Sequence, residues 1–224
     1  MFHIKICGVR KIAHLEAVFS SGADAIGLNF YPPSCRFLDP QQPQTAGLAS
    51  KAGELGLTRV GVFVNHPPER VLEVSRRLEL DAVQLHGDEQ PEVAAKLQEG
   101  GVTKLIRAIK LPVGQLTIEE IEMRVSPWAT SGIHLLLDAD GGQSHGGTGQ
   151  TLDWGVIKKW ADQAGETSWT LAGGLNPQNV AAAILESGAT SVDTASGVEA
   201  ERGVKSETLI WQFSDAASAL RRQA

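Results

Sequence analysis

Cysteine is scarce in this chain. Its 224 residues include two, Cys7 and Cys35, with no CxxC spacing, so they make no disulfide framework and read as reduced thiols. Positive charge is not in excess either: 20 Lys and Arg stand against 26 Asp and Glu, for a net charge of −6, and no basic run occurs. A nucleic-acid partner needs such a basic footprint and is therefore not expected. No apolar run approaches the ~18 residues of a membrane-spanning helix, and the opening MFHIKICGVRK lacks the order of a secretory signal. The expectation is a cytoplasmic protein with neither a nucleic-acid nor a membrane partner. What remains is ordinary: 42% hydrophobic and 21% charged residues are close to globular averages, enough to bury a core.

Along the chain, short apolar runs rich in β-branched residues alternate with segments of helical periodicity. The pattern predicts strands at 2–7, 24–30, 58–64, 81–86, 103–109, 133–138, 169–173 and 190–194. Helices are predicted at 11–21, 41–55, 67–79, 90–99, 116–125, 153–163, 177–187 and 206–221, the fifth being a short acidic stretch between Pro112 and Pro127. Asn65 and Asn176 read as helix-start residues before prolines. Gly22 and Gly188 read as helix stops, within the recurring junctions SGAD and SGAT. Eight β/α units with no composition break predict one domain over 1–224, a (β/α)₈ barrel of the α/β class. An open doubly wound sheet is the alternative, but nothing resembling GxGxxG follows the first strand.

In such a barrel the chemistry lies at the C-terminal ends of the strands. Cys7 ends the first strand, and alternation puts it on one face with Lys5 and His3, with Phe2, Ile4 and Ile6 on the other. Positive neighbours or hydrogen bonds would lower its pKa and let it act as a base; a buried inert thiol is the plainer reading. Asp138 ends the sixth strand after HLLL, where a carboxylate is costly unless solvated or used. Together the two could flank a ligand as base and acid. Gly173-Gly174 and Ser196-Gly197 follow strands seven and eight, where backbone N–H groups can cradle a phosphate. The corresponding loops three and four, VNHPPE and HGDEQPE, carry no such glycine pair, so one phosphate is expected rather than two. Arg36 suits a ligand carboxylate or phosphate, or an ordering ion pair with Asp39. His86 and Asp88 lack any recognised metal spacing, so no metal is expected. DGGQSHGGTGQ (140–150), with five glycines, reads as a mobile lid.

Taken together, KICGVR (5–10), GADAIGLNFYPPSCRFLDP (22–40), VGVFVN (60–65), VQLHGDE (83–89), LLLDADGGQSHGGTGQTLDW (135–154), LAGGLNP (171–177) and VDTASGVE (192–199) resemble the phosphoribosylanthranilate isomerases of tryptophan biosynthesis. The resemblance runs in order along essentially the whole chain. It implies an Amadori rearrangement of the phosphoribosyl aminoaldose to 1-(2-carboxyphenylamino)-1-deoxyribulose 5-phosphate, without cofactor or metal, by a monomer or homodimer. It implies Cys7 as the general base on C2′ and Asp138 as the general acid on the ring oxygen. Arg36 would face the anthranilate carboxylate, with His86 also at the substrate. Gly173, Gly174, Asp193, Ser196 and Gly197 would form the phosphate loops. The chain departs from the pattern at Ala195, where some members carry a serine that adds a phosphate contact; backbone N–H groups can supply that site.

Three rivals remain distinguishable. The related histidine-pathway isomerase would place aspartate at the end of strand one and a second phosphate site in the first half-barrel. A metal-dependent pentose-phosphate epimerase would need a His/Asp ligand set across several strand ends. A non-catalytic phosphosugar-binding barrel would keep the glycine loops and lack the acid–base pair.

Overall fold

The computed structural model describes residues 1–140 and 151–219, the side chains of 129–131 excepted. Apart from Asp140, the expected lid at 140–150 lies outside the described residues. In chain order the elements are β1 Ile4–Cys7, α1 Ile12–Ser20, β2 Ala25–Asn29, α2 Pro43–Glu54, β3 Thr58–Phe63, α3 Pro68–Arg77, β4 Ala82–Leu85 and α4 Pro91–Glu99. They continue with β5 Leu105–Leu111, α5 Ile118–Val125, β6 His134–Ala139, α6 Trp154–Ala161, β7 Trp169–Leu171, α7 Val180–Ser187 and β8 Val192–Thr194. After a short 3-10 turn at Ser196–Val198 come a small hairpin, β9 Glu199–Glu201 and β10 Val204–Lys205, and then α8 Glu207–Ala219. β1 to β8 form a closed barrel in sequence order, and β1 pairs in parallel with both β2 and β8. This is the (β/α)₈ barrel expected from the alternation of units. Among the described residues, no helix is long and apolar enough to cross a membrane.

Two layers of apolar side chains hold the barrel. Alternate residues of each strand point outward to the helices, and these form the larger core, with Ile6, Leu28, Leu85, Leu137 and Leu171 fully buried beneath α-helical residues such as Leu97, Trp160 and Phe213. The inward-pointing set is smaller: Phe2, Ala25, Val60, Ala82, Ile106, Ala108, Leu136 and Ala172. Four of these eight are alanines, which leave the lumen wide enough for the Phe2 ring and the fully buried Lys5 side chain. The short acidic α5 forms because Thr117 and Glu120 make a reciprocal capping box, the Thr117 hydroxyl accepting from Glu120 N at 3.2 Å and the Glu120 carboxylate from Thr117 N at 3.1 Å. Gly22 (φ 82°) and Gly188 (φ 72°) stop α1 and α7 in the left-handed conformation, as expected.

Three local expectations are corrected. Phe2 belongs to the interior cluster and does not share the outward face of Ile4 and Ile6, because it precedes β1 and the alternation of a strand does not extend to it. Asn65 caps no helix: α3 begins at Pro68 with Pro67 as its flanking residue. Its own backbone is left-handed (φ 54°), and its side chain accepts from Asp88 N at 2.7 Å, joining loops 3 and 4. Asn176 caps only the turn ahead of α7, its Oδ1 accepting from Gln178 N at 2.9 Å and Asn179 N at 3.2 Å, so the helix starts at Val180 rather than at Pro177.

Low in the lumen, His134 is held by hydroxyls: Nδ1 by Ser168 Oγ, and Nε2 by Thr170 Oγ1 at 2.7 Å, which in turn meets Ser191 Oγ at 2.7 Å. Burial, with the N-terminal amine and the Lys5 ammonium adding repulsion, pushes its pKa down from 6.5 to about 4. The folded state thus holds a neutral ring that the unfolded chain protonates below about pH 6.5, so stability is lost as pH falls from there toward 4. Urea unfolding at pH 7.5 and 4.5 should show wild type losing about 2 kcal/mol more than His134→Gln. An equal loss in both proteins would remove His134 as the source.

Candidate active site

A second set of polar residues gathers at the opposite end of the barrel from His134. Cys7, Arg36, His86, Asp138, Gly173, Gly174, Asp193 and Ser196 line a single cavity of about 470 Å³ above the strands' C-terminal ends. Eight of the nine residues singled out from the sequence therefore meet. Gly197 stands behind this wall: a Cβ there would lie 1.9 Å from Leu175 O, so glycine is what lets loops 7 and 8 close on one another.

Cys7 ends β1 directly beside Gly27 of β2, where any Cβ would stand 2.5 Å from the sulfur. Glycine at 27 therefore makes the space the thiol occupies. Lys5, one inward position below, is fully buried; its ammonium donates to Gln84 Oε1 and lies 3.4 Å from Asp193 Oδ1. The expected lowering of the Cys7 pKa does not occur. Burial pushes the thiol up and Asp193 adds to this, and the cations Lys5, Lys205 and Arg36 only partly offset them. The resting site holds Cys7 as a thiol.

Asp138 sits in β6, separated from β1 in the ring by β7 and β8. Burial raises its pKa, and the Asp193 carboxylate raises it further, to about 7, against the Ala139 N–H, Lys5 and Lys110. It is thus poised to give up a proton at neutral pH. His86 Nε2 lies 3.5 Å from Asp138 Oδ2, and Gln84 Nε2 lies 2.8 Å from His86 Nδ1. A polar chain thus crosses the lumen from Asp193 on β8, through Lys5 on β1 and Gln84 on β4, to His86 and Asp138. Asp193 lies within β8, where its carboxylate faces Lys5 and lines the same cavity as Gly173, Gly174 and Ser196.

Arg36 does not pair with Asp39. Its Nε and Nη2 reach both oxygens of Glu199 at 2.6 and 2.7 Å, and Lys205 approaches the same carboxylate at 3.0 Å. Burial alone would raise Glu199; the Arg36 hydrogen bonds and the Lys205 charge reverse this and hold it at about 2. This pairing ties loop 2 to the β9–β10 hairpin. Loops 3 and 4 are tied in a similar way. The Glu89 carboxylate accepts from Asn65 N at 2.7 Å, Gly87 N at 2.9 Å and Arg107 Nη1 at 2.7 Å. Those backbone donors already serve a carboxylate, which leaves them unavailable to a second phosphate. On the opposite side, Gly173 (φ 81°) and Gly174 (φ 66°) turn the chain at the cavity wall, beside Ala195 and Ser196.

Lys5 was visible in the sequence only as a neighbour of Cys7, and Gln84, Glu199, Lys205 and Arg107 were not singled out at all. Lys5 with Gln84 and Glu199 with Arg36 are contacts between segments far apart in sequence, which spacing along the chain does not reveal. Among the described residues, no three His, Cys, Asp or Glu side chains gather into a metal-binding group.

Comparison with known proteins points one way. The sequence profile of the N-(5'phosphoribosyl)anthranilate (PRA) isomerase family matches residues 4–216. The chain is 39% identical to the N-(5'-phosphoribosyl)anthranilate isomerase of Hahella chejuensis, over 93% of this chain and 91% of that one. It superposes on the crystal structure of phosphoribosyl anthranilate isomerase from Thermotoga maritima with a TM-score of 0.84 at 33% identity, covering 98% of this chain and 100% of that one. A phosphoribosyl anthranilate isomerase in complex with reduced 1-(o-carboxyphenylamino)-1-deoxyribulose 5-phosphate gives a TM-score of 0.81 at 32% identity, with the same coverage.

The raised Cys7 pKa generates a prediction about the resting protein. Only a thiolate alkylates readily. Iodoacetamide at pH 7, followed by peptide mapping, should modify the half-buried Cys35 well before the buried Cys7. Preferential labelling of Cys7 would mean that its cationic neighbours outweigh burial.

Proposed function

The chain belongs to the N-(5'-phosphoribosyl)anthranilate isomerase family and is an isomerase of tryptophan biosynthesis, and from this premise we propose how its residues divide the work. Asp138 is the general acid and Cys7 the general base of an Amadori rearrangement on a phosphosugar substrate. The observation that carries this reading is that a carboxylic acid with a pKa near 7 and a thiol at the end of another strand line one cavity, walled by the Gly173-Gly174 turn.

The Asp138 carboxyl gives its proton to the ribose ring oxygen. The C1′–O bond breaks as the anilino nitrogen's lone pair closes a C1′=N⁺ iminium. The Cys7 thiolate, present in the minor protonation state that keeps the pair's one proton on Asp138, then takes the C2′ proton, and that C–H pair becomes the C1′=C2′ bond of a neutral enolamine as the iminium π pair returns to nitrogen. Protonation at C1′ and loss of the enol O–H proton give the aminoketose. The iminium charge acidifies C2′, and a thiol with a raised pKa yields a strong base once ionised. Gly173, Gly174 and Ser196 supply backbone N–H groups to the phosphate, and Gly197 lets their loops close. Arg36 spends two nitrogens on Glu199 and keeps Nη1 for the anthranilate carboxylate. His86 stands beside the acid. The Glu89 clamp on loops 3 and 4 favours this one-phosphate substrate over the two-phosphate substrate of the histidine pathway.

Two measurements test the division of labour. The working enzyme needs Asp138 protonated and Cys7 ionised, which is one proton shared by the pair. That proton count dominates between the two ionisations, so kcat/KM should rise with pH through about 7 and fall again where the last proton leaves. A profile that only falls through pH 7 would contradict the pairing. At the phosphate wall, Gly174 holds φ 66°, where a β-branched residue is strained. Gly174→Val should raise KM with less effect on kcat and abolish competition by inorganic phosphate. Retained competition would place the phosphate elsewhere.

A further inference from the structure

The polar chain across the lumen fixes more than the position of its members. Lys5 is fully buried, and its ammonium has donors only, so the Gln84 side chain must turn its oxygen to it. Gln84 is itself buried, and this contact leaves its NH₂ facing the other way, 2.8 Å from His86 Nδ1. An imidazole nitrogen that meets an amide NH₂ must accept. His86 is thereby held neutral, with its single proton on Nε2, and Nε2 is the atom 3.5 Å from Asp138 Oδ2.

We propose that Gln84 is a positioning residue for the acid step: it holds His86 as the Nε2–H tautomer, which faces the carboxylate that Asp138 becomes on protonating the sugar. The proposal rests on Asp138 being the acid. Before the step, Asp138 carries its proton and draws little from a neighbouring N–H. Afterwards it is an anion in a buried site, and the His86 N–H supplies a hydrogen bond that strengthens as the charge develops. Lys5 acts at one remove, by choosing the orientation of the Gln84 amide. Loop 4 keeps the ring in place, because Glu89 and Arg107 clamp Gly87, the residue after His86, at 2.9 and 3.0 Å.

The other groups that act on Asp138 set what this contact must work against. Asp193 on β8 opposes its ionisation, and Lys5 on β1, Lys110 on β5 and the Ala139 N–H favour it. Cys7 lines the same cavity from the end of β1. Of these, only His86 owes its donor to a tautomer, and that tautomer is the part a substitution at Gln84 can change without touching a charge.

The test reads the tautomer directly. Nitrogen-15 spectra of the histidine rings, with His86 assigned by loss of its signals in His86→Gln, should show Nε2 protonated and Nδ1 bare in wild type at pH 7.5. Gln84→Met should give a mixture of tautomers. Its kcat should fall roughly tenfold to hundredfold, the loss of one charge-assisted hydrogen bond from the transition state, with KM changing less. The limb of kcat/KM near pH 7 should move to higher pH, since the carboxylate has lost a donor. Gln84→Glu is the second variant, in case methionine beside Lys5 does not fold. It keeps an oxygen for the ammonium but offers His86 a charged acceptor, so the Nδ1 proton should appear, and the rate should fall, with the fold intact, to the extent that the spectra show Nε2 losing its proton. An Nδ1–H ring in wild type overturns the proposal, as does an unchanged kcat and pH limb in a folded variant whose tautomer has changed. Asp138→Asn separates this from the wider reading. Near-normal turnover there removes the acid, and the positioning role with it, whereas a dead Asp138→Asn beside a fully active Gln84→Met overturns the role of Gln84 alone.

Discussion

A fully buried ammonium must find oxygen, and most of the catalytic end of this barrel follows from where Lys5 finds it. Its partners are Gln84 on β4 and Asp193 on β8, reached across the lumen from β1. Unpaired, such a charge would be far too costly to bury. Closure of the barrel brings these three strands within reach, and the alanines of the interior layer leave the side chain its room. The same ammonium restrains the upward shift of the Cys7 thiol and the two aspartates, and it sets the amide whose other end meets His86. Cys7 and Asp138 stand on separate strands, but one cation acts on both.

A second buried charge group orders the rim. Arg36, Glu199 and Lys205 draw the long loop after β2 onto the β9–β10 hairpin, with Gly203 N adding a 2.9 Å hydrogen bond to Glu199. Truncating Arg36 would leave the Glu199 carboxylate with less compensation, so substitutions here bear on the loop's order as well as on any ligand carboxylate. Across the mouth, Glu89 and Arg107 do the same for loops 3 and 4. Carboxylates thus satisfy the backbone donors of one half-barrel, and glycine turns face the cavity from the other. A substrate with one phosphate at one end fits that asymmetry.

The alternation of apolar runs with helical periods made the eight units legible, because period and chain order follow directly from which faces must be buried. Strand-end placement then singled out Cys7, Asp138 and the two glycine loops. What spacing could not show was pairing between strands far apart in sequence: Lys5 with Gln84 is a contact over 79 residues, and Arg36 with Glu199 one over 163. Nor could it price burial, so the cations beside Cys7 suggested a lowered pKa where desolvation dominates. Phe2 and Asn65 misled for a local reason. Each stands just outside the element whose rule was applied to it.

In the roles proposed for them, Cys7 and Asp138 act at C2′ and at the ring oxygen of one rearrangement. A crystal structure of this enzyme with reduced 1-(o-carboxyphenylamino)-1-deoxyribulose 5-phosphate tests these roles most directly. Those roles require Cys7 Sγ about 3.5 Å from C2′ and an Asp138 oxygen within roughly 2.6–3.2 Å of the former ring oxygen, with the phosphate on the backbone of Gly173, Gly174 and Ser196. A ligand bound with its phosphate in those loops but with Cys7 or Asp138 beyond reach of its atom would contradict the assignment of that residue.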